Sequence, residues 1–207
     1  GLVSHRRLSN GDDKPYELNI SWWSAMEDSS RDAKRFQYER FILSQLLVMA
    51  LKGVPAFYLP ALLASENDIK SFSMTGQRRD LNREKFKSEN LLAVLNNPES
   101  NANKNLKYLR NAMDVRSKLK QFHPCSEMKC LSKGRSDIVV IKRSKGPESV
   151  FAIHNMTENK INYQLNDNDL PKIIDNDFNT HDFLTSTKYN CKNISLDPFQ
   201  VIWLSAL

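Results

Sequence analysis

Residues 34–63, KRFQYERFILSQLLVMALKGVPAFYLPALL, contain the two elements that decide the fold. In the first of them, apolar residues recur with the period of an α-helix, which predicts a helix over 34–52 that stops at Gly53. The C-terminal half of this helix is apolar almost all round, so we expect protein on several of its sides. The apolar run 54–63, ending at Pro60, is typical of a buried strand in a parallel sheet.

The segments on either side complete a β/α pattern. Residues 1–33 have few periodic apolar positions and many turn formers, which predicts a long ordered loop. Residues 64–103 are polar, and residues 104–122 form a second amphipathic helix that ends before Pro124. Loop, helix, strand, long loop and helix are the order of the last part of a (β/α)₈ barrel, predicted over 1–124. A closed barrel needs about eight such units and roughly 250 residues.

The pattern of apolar and polar residues changes after residue 124. Short runs of alternating apolar and polar residues are separated by turn signals, which predicts a small antiparallel β-sandwich over 125–207. The domain boundary is expected near 123–126. The predicted strands are DIVVIKR (137–143), SVFAIHN (149–155), KINYQL (160–165) and PFQVIWLSAL (198–207).

Composition and charge exclude several classes of protein. Among the 207 residues, 40% are hydrophobic and 26% charged, an ordinary globular balance. The net charge of +6 is spread along the chain, whereas a nucleic-acid surface would show a tighter basic cluster. No apolar run is long enough to span a bilayer, and no signal peptide opens the chain. Three cysteines without ligand spacing favour free thiols, and we therefore expect a cytoplasmic protein that uses no metal or cofactor.

Three motifs resemble one known family. They are PYELNISWWSAM (15–26), GVPAFYLPALLASEND (53–68) and TGQRRDLNREKF (75–86). In this order they resemble the sucrose phosphorylase branch of the α-amylase family, and the form PYELN is more similar to its glucosylglycerate or glucosylglycerol phosphorylase side. The resemblance is strong over about 13–124 and loose over the β module. It places residues 54–63 as the eighth barrel strand.

The resemblance implies a retaining glucosyl transfer between an α-glucoside and inorganic phosphate, which yields glucose 1-phosphate. A carboxylate nucleophile forms a glucosyl-enzyme intermediate, and a second carboxyl group acts first as acid and then as base. In the family these groups lie on earlier strands, so we expect no catalytic residue in this chain. The sequence His181-Asp182 lies inside the β module and is expected in a turn.

The motif residues supply candidates for substrate binding. Arg79 matches the family arginine that hydrogen-bonds the bound glucosyl ring, and Asp80 is expected to orient Arg79 or Arg83. Tyr16 matches a tyrosine on the mobile loop that faces the acceptor or phosphate. Glu17 stands where sucrose-specific members carry Gln, and its carboxylate should repel an anion or accept hydrogen bonds from a hydroxylated acceptor.

The loop contains a further candidate and an aromatic pair. Asn19 also matches the binding motif, although its side chain could instead bond loop backbone. Because adjacent residues of an extended chain face opposite ways, one ring of the pair Trp22 and Trp23 should pack under the loop and the other line the barrel rim. Glu66 and Asp68 are expected as rim residues that cap or brace the long loop.

Three readings remain open from the sequence. The first is the C-terminal portion of a glucosyl-transferring phosphorylase, inactive on its own, whose partners are a small sugar and inorganic phosphate. The second is an α-amylase-family hydrolase or transglucosidase, in which water or a sugar replaces phosphate. The third is a non-catalytic carbohydrate-binding or structural remnant. The exposed apolar faces expected of an incomplete barrel also allow a homodimer.

Overall fold

The chain divides into two compact units in the computed structural model. One unit comprises Gly1–Gln37 and Phe57–Tyr108, and the other comprises Tyr38–Ala56 and Leu109–Leu207. None of the three breaks between these units falls near residue 124, and the domain boundary predicted there stays a prediction. The residues that the structure describes are 1–28, 32, 34–166, 170 and 178–206.

Helices dominate the first two thirds of the chain and strands the last third. Single turns of 3-10 helix cover Ser24–Met26, Arg78–Asn82 and Lys120–Phe122. The described α-helices are α1 Gln37–Ala50, α2 Leu59–Leu62, α3 Ile69–Thr75, α4 Ser88–Asn96 and α5 Asn101–Lys118. The described strands are β1 Leu2–Arg7, β2 Asp13–Asn19, β3 Glu127–Cys130, β4 Ile138–Lys145, β5 Glu148–Asn155, β6 Ile161–Tyr163, β7 Asn179–His181, β8 Lys188–Asn190, β9 Ile194–Leu196 and β10 Val201–Ala206.

The predicted apolar helix is confirmed as α1. Phe41, Leu46 and Met49 are fully buried, as a helix that is apolar on most sides requires. Beyond it, Gly53 has a φ of 119°, a backbone conformation that side-chain-bearing residues rarely adopt. The second predicted helix is confirmed as α5, which is followed by the 3-10 turn Lys120–Phe122. None of the helices in the described part of the chain has both the length and the apolar character that a membrane span requires.

The predicted buried strand over 54–63 does not form in this structure. Residues 54–58 form no ladder with any described strand, and the segment that follows is the short helix α2. Val54 and Tyr58 are 79% and 56% exposed. A strand exists only through hydrogen bonds to a neighbour, and Pro60 is well suited to the first turn of a helix. The apolar pattern alone could not distinguish these outcomes.

The prediction of a loop over 1–33 is also wrong. Strands β1 and β2 form an antiparallel hairpin whose turn is closed by hydrogen bonds from the Leu8 N–H to the Asp12 carbonyl (2.8 Å) and from the Gly11 N–H to the Leu8 carbonyl (3.0 Å). The hairpin is largely exposed, so it lacks the apolar alternation that identifies a strand. The turn sequence SNGDD at 9–13 was the available signal.

The β module is organised around an antiparallel sheet in the order β10-β5-β4-β3. Its four predicted strands are found as β4, β5, β6 and β10, and the additional pairs β6-β9 and β7-β8 complete the module. Short strands such as β7 and β8 carry too few residues for a periodic signal. Several predicted turn residues within 166–169 and 175–180 lie outside the described residues. The buried core consists of Ile138, Val140, Phe151, Ile153, Leu165, Cys191, Ile194, Leu196, Ile202 and Leu204.

Candidate functional site

The candidate site forms where the N-terminal hairpin meets the 3-10 turn Arg78–Asn82. The Arg78 guanidinium donates to the Val3 carbonyl at 2.5 Å, which ties the turn to strand β1. Leu81 is 5% exposed, so its buried side chain anchors the turn. Its carbonyl accepts a hydrogen bond from the Asp68 N–H at 2.7 Å. The Arg78–Val3 bond thereby joins residues that are 75 positions apart in sequence.

Glu17 and Arg79 form an ion pair in this region. The Arg79 Nε lies 3.2 Å from Glu17 Oε1, and its Nη2 lies 3.4 Å from Oε2. The Glu17 side chain is 30% exposed and the Arg79 side chain 54% exposed, so the pair is open to solvent. The Glu17 carboxylate raises the pKa of Arg79 above its ordinary value, and the neighbouring Tyr16 acts in the same direction. Tyr16 itself is 59% exposed.

Asp80 has a different partner from the one predicted. Its Oδ2 lies 2.7 Å from Thr75 Oγ1, whose single proton is shared between Asp80 and the Ser71 carbonyl at 3.0 Å. Asp80 therefore fastens the end of α3 to the 3-10 turn. The carboxylate that orients Arg79 is that of Glu17, which sequence spacing could not reveal because the two residues are far apart in the chain.

Asn19 is buried rather than presented on the surface. It is 1% exposed, and its Nδ2 donates to the Ser4 hydroxyl at 2.8 Å across the hairpin. Its Oδ1 accepts no hydrogen bond from the described residues. Asn19 therefore joins the two strands below Glu17, and its predicted contact with substrate stays a prediction.

The tryptophan pair divides as predicted. Trp23 is 4% exposed and Trp22 is 43% exposed, so one ring packs in the interior while the other is half open to solvent. The Gln37 side chain donates to the Trp23 carbonyl at 3.1 Å, which fixes this part of the backbone. That Trp22 lines a barrel rim stays a prediction.

The segment after α2 braces the hairpin. Asp68 caps α3, because its Oδ1 accepts from the Ser71 N–H at 2.8 Å. The pKa of Asp68 is lowered by the hydrogen bond from the Ser71 hydroxyl to its Oδ2 at 2.5 Å, together with this backbone bond. Asn67, which the sequence did not single out, accepts from the Ser21 N–H at 2.7 Å through Oδ1. Its own N–H donates to the Ser24 hydroxyl at 3.1 Å. Glu66 is exposed. The bracing role predicted for Asp68 is confirmed.

The remaining candidates have structural roles. Asp182 is fully buried and accepts from the Trp203 N–H at 2.7 Å, the Leu184 N–H at 3.2 Å and the Thr185 hydroxyl at 2.7 Å. Asp182 thus closes the turn that follows β7, whereas His181, for which a turn was also predicted, is the last residue of β7 and pairs with Lys188. In the described part of the chain, no group of three His, Cys, Asp or Glu side chains is placed to hold a metal ion.

The chain is similar in sequence to several curated phosphorylases. It is 31% identical over 153 residues to a glucosylglycerate phosphorylase of Spirochaeta thermophila, covering 74% of this chain and 24% of that protein. It is 24% identical over 205 residues to the glucosylglycerate phosphorylase of Escherichia coli, covering 98% and 34%. A sucrose phosphorylase of Streptococcus mutans is 24% identical over 157 residues, covering 74% and 29%. The resemblance to the sucrose phosphorylase branch of the α-amylase family is confirmed.

Solved structures agree at the level of fold. An Anoxybacillus α-amylase matches with a TM-score of 0.57 at 15% identity, covering 82% of this chain and 32% of that one. The trehalose-6-phosphate hydrolase of Bacillus licheniformis matches with a TM-score of 0.58 at 16% identity, covering 84% and 40%. No family model matches the chain. The chain spans between about a quarter and a third of the length of the three curated phosphorylases.

Proposed function

We propose that this chain is the C-terminal portion of a retaining glucosyl-transferring phosphorylase, which converts an α-glucoside and inorganic phosphate to glucose 1-phosphate. The observation that supports it best is the Glu17–Arg79 pair, built from two motifs that resemble those of the sucrose phosphorylase branch. The curated relatives named as glucosylglycerate and sucrose phosphorylases support the same activity. In this proposal the catalytic carboxylates belong to the remainder of the parent enzyme.

The proposed architecture assigns residues 1–124 to the last part of a (β/α)₈ barrel and 125–207 to the closing β-sandwich. Two observations support the barrel. The exposure of residues 54–58 alternates with the period of a strand, although these residues pair with none of the described strands. The structural neighbours are α-amylase-family enzymes of which this chain covers about a third. In the parent, adjoining strands would pair with 54–58.

Arg79 is proposed to bind a neutral, hydroxylated part of the substrate. A guanidinium has N–H donors along more than one edge, and Glu17 engages the Nε and Nη2 edge. The remaining edge can donate to sugar hydroxyls. Because Glu17 offsets the positive charge of Arg79, the pair attracts an anion less than an unpaired arginine would. Glu17 therefore acts in this proposal as a hydroxyl acceptor and as the group that orients Arg79, with Tyr16 alongside.

The glucosyl transfer itself follows from the proposed family. The glycosidic bond breaks as a carboxylate oxygen bonds to the anomeric carbon, and the acid residue gives its proton to the leaving oxygen. A phosphate oxygen then displaces the carboxylate, and the same residue recovers a proton from phosphate. The two displacements together retain the configuration. Glu17 replaces the Gln of sucrose-specific members and can accept hydrogen bonds from hydroxyls, so the proposed acceptor is glycerate or a related polyol, rather than fructose, that turns its hydroxyls and not a carboxylate toward this pair.

The test is release of glucose 1-phosphate by the parent enzyme that contains these 207 residues. We expect phosphate-dependent release from 2-glucosylglycerate, and none from the isolated 207-residue chain. Release of free glucose at a rate independent of phosphate would instead show an α-amylase-family hydrolase. Sustained glucose 1-phosphate release by the isolated chain would contradict the assignment of the catalytic carboxylates to the rest of the parent.

Substitution of Arg79 in the parent enzyme provides a second prediction. Arg79→Met should lower kcat/KM by about 10- to 100-fold, because hydrogen bonds from a charged donor contribute about 1.5–3 kcal/mol. Arg110→Met serves as the matched control, since Arg110 is exposed on α5. Steady-state kinetics in both reaction directions measure the effect. Equal kcat/KM values for Arg79→Met and Arg110→Met would remove Arg79 from the substrate site.

A further inference from the structure

A polar groove of about 470 Å³ lies on the β module, in the compact unit that does not contain Arg79. Its volume is within the range of about 300–1,000 Å³ that is usual for ligand sites. The groove is lined by Leu131, Arg135, Asn162, Tyr163, Gln164, Asn166, Lys192 and Asn193. Four of these residues carry side-chain amides, and no carboxylate occurs in the described lining.

Three of the amides form a ladder. Asn162, Gln164 and Asn166 occupy alternate positions of one extended segment, so they face the same way, and all three are exposed. Of the two residues between them, Leu165 is fully buried, whereas Tyr163 is partly buried and also lines the groove. Asn193, also exposed, supplies the fourth amide from the turn before β9.

The ladder is held on a fixed backbone. Strand β6 pairs with β9, and Asn162 lies opposite Ser195 in that pairing. Farther along, the Leu165 N–H donates to the Cys191 carbonyl at 2.9 Å. Because the segment is anchored at both ends, the amides require little ordering when a ligand binds.

An aromatic ring and a cation form one side of the groove. The Arg135 guanidinium lies 5.6 Å from the centroid of the Tyr163 ring and is fixed by Asp137, with Nε to Oδ1 at 2.9 Å and Nη2 to Oδ2 at 2.5 Å. Asp137 therefore offsets the charge of Arg135. The Lys192 ammonium lies 4.9 Å from the Phe178 ring centroid. The groove thus combines amides with a partly buried aromatic residue.

We propose that this groove is a carbohydrate-binding site for a short neutral oligosaccharide. Each side-chain amide offers both donors and an acceptor, and each sugar hydroxyl can donate and accept, so a row of amides complements a row of hydroxyls. A phosphate or carboxylate would leave the amide oxygens of the ladder facing a negative charge. The assignment does not depend on the activity proposed for the parent enzyme.

Titration of the ¹⁵N-labelled 207-residue chain with maltotriose tests the site. We expect saturable shifts of the side-chain amide signals of Asn162, Gln164, Asn166 and Asn193. The double variant Asn162→Ala/Gln164→Ala should weaken binding at least about tenfold, because each neutral hydrogen bond contributes about 1 kcal/mol. Asn101→Ala, which removes an exposed amide from α5, is the matched control and should bind as the unsubstituted chain does.

The outcomes that overturn the proposal are defined by the same titration. An absence of shifts at millimolar maltotriose, or equal affinity in the double variant and in Asn101→Ala, would show that the amides are only solvated. A parallel titration with inorganic phosphate separates the other class of ligand. If phosphate moves the same signals and displaces maltotriose, the groove is an anion site and the proposal is wrong. Backbone amide spectra of each variant confirm that it is folded.

Discussion

Replacement of Arg143 by Met is expected to lower the free energy of unfolding by about 3–5 kcal/mol, because several buried carbonyls lose their donor at a cost of about 1–3 kcal/mol for each one left unsatisfied. Arg143 is fully buried in strand β4. Its guanidinium donates to four backbone carbonyls, those of Ala50 at 3.1 Å, Leu51 at 2.8 Å, His123 at 2.8 Å and Glu127 at 3.2 Å. Methionine fills a similar volume but donates no hydrogen bond, so all four acceptors lose this partner.

The position of these carbonyls explains the size of the effect. Ala50 and Leu51 are at the C-terminal end of α1, where helix carbonyls lack intrahelical partners and carry partial negative charge. Arg116 serves the same end, since it donates to the Met49 carbonyl at 2.9 Å and to the Gly53 carbonyl at 3.1 Å. Desolvation lowers the pKa of both arginines, although the hydrogen bonds keep them bound in place.

Urea denaturation followed by far-UV circular dichroism measures the change. Arg143→Lys should also destabilise, because one ammonium cannot reproduce a planar fork of donors. Arg110→Met removes the same charge from an exposed position and should alter stability by less than about 0.5 kcal/mol. A shift for Arg143→Met no larger than that of Arg110→Met would show that the buried guanidinium does not stabilise the helix end.

The second large effect is a loss of stability in acid that depends on His154. This residue is fully buried in β5, and its Nδ1 lies 3.2 Å from the Val139 carbonyl. Burial lowers the pKa of His154 to about 4 from the ordinary 6.5. The neutral form is favoured in the folded state, so its contribution to stability is complete above pH 6.5 and falls as pH decreases toward 4. The expected loss across that window is about 3 kcal/mol.

The comparison between variants isolates the histidine. His154→Asn cannot titrate, so its stability should fall less steeply than that of the unsubstituted chain between pH 6.5 and 4. Asp182 acts with the opposite sign, because burial raises its pKa and its contribution is complete below 3.8 and is lost as pH rises through the folded value. Asp182 is present in both His154→Asn and the unsubstituted chain, so its contribution cancels in the difference between their stabilities. His5→Asn, at an exposed strand position, is the control. Parallel pH profiles for His154→Asn and the unsubstituted chain would contradict the prediction.

The sequence by itself determined the elements whose apolar residues repeat with a clear period. Helix α1, helix α5 and the long strands β4, β5 and β10 were predicted because their apolar residues repeat periodically or run continuously along the element. The same reasoning failed for 54–58, since an apolar run specifies burial but not the neighbour that makes it a strand. It also missed the exposed hairpin β1-β2, whose stability comes from pairing and turn geometry rather than from apolar alternation.

The candidate site divides in the same way. The sequence selected Tyr16, Glu17 and Arg79 through motifs. Only the tertiary structure showed that Glu17 forms an ion pair with Arg79 and that Asp80 is hydrogen-bonded to Thr75. Motif resemblance identifies residue types, whereas a hydrogen bond between residues far apart in the chain depends on how the hairpin packs against the 3-10 turn. The burial of Arg143 likewise depends on contacts between residues far apart in the chain. A charged residue in a strand is expected to be exposed, and it is buried here because four carbonyls from distant segments converge on it.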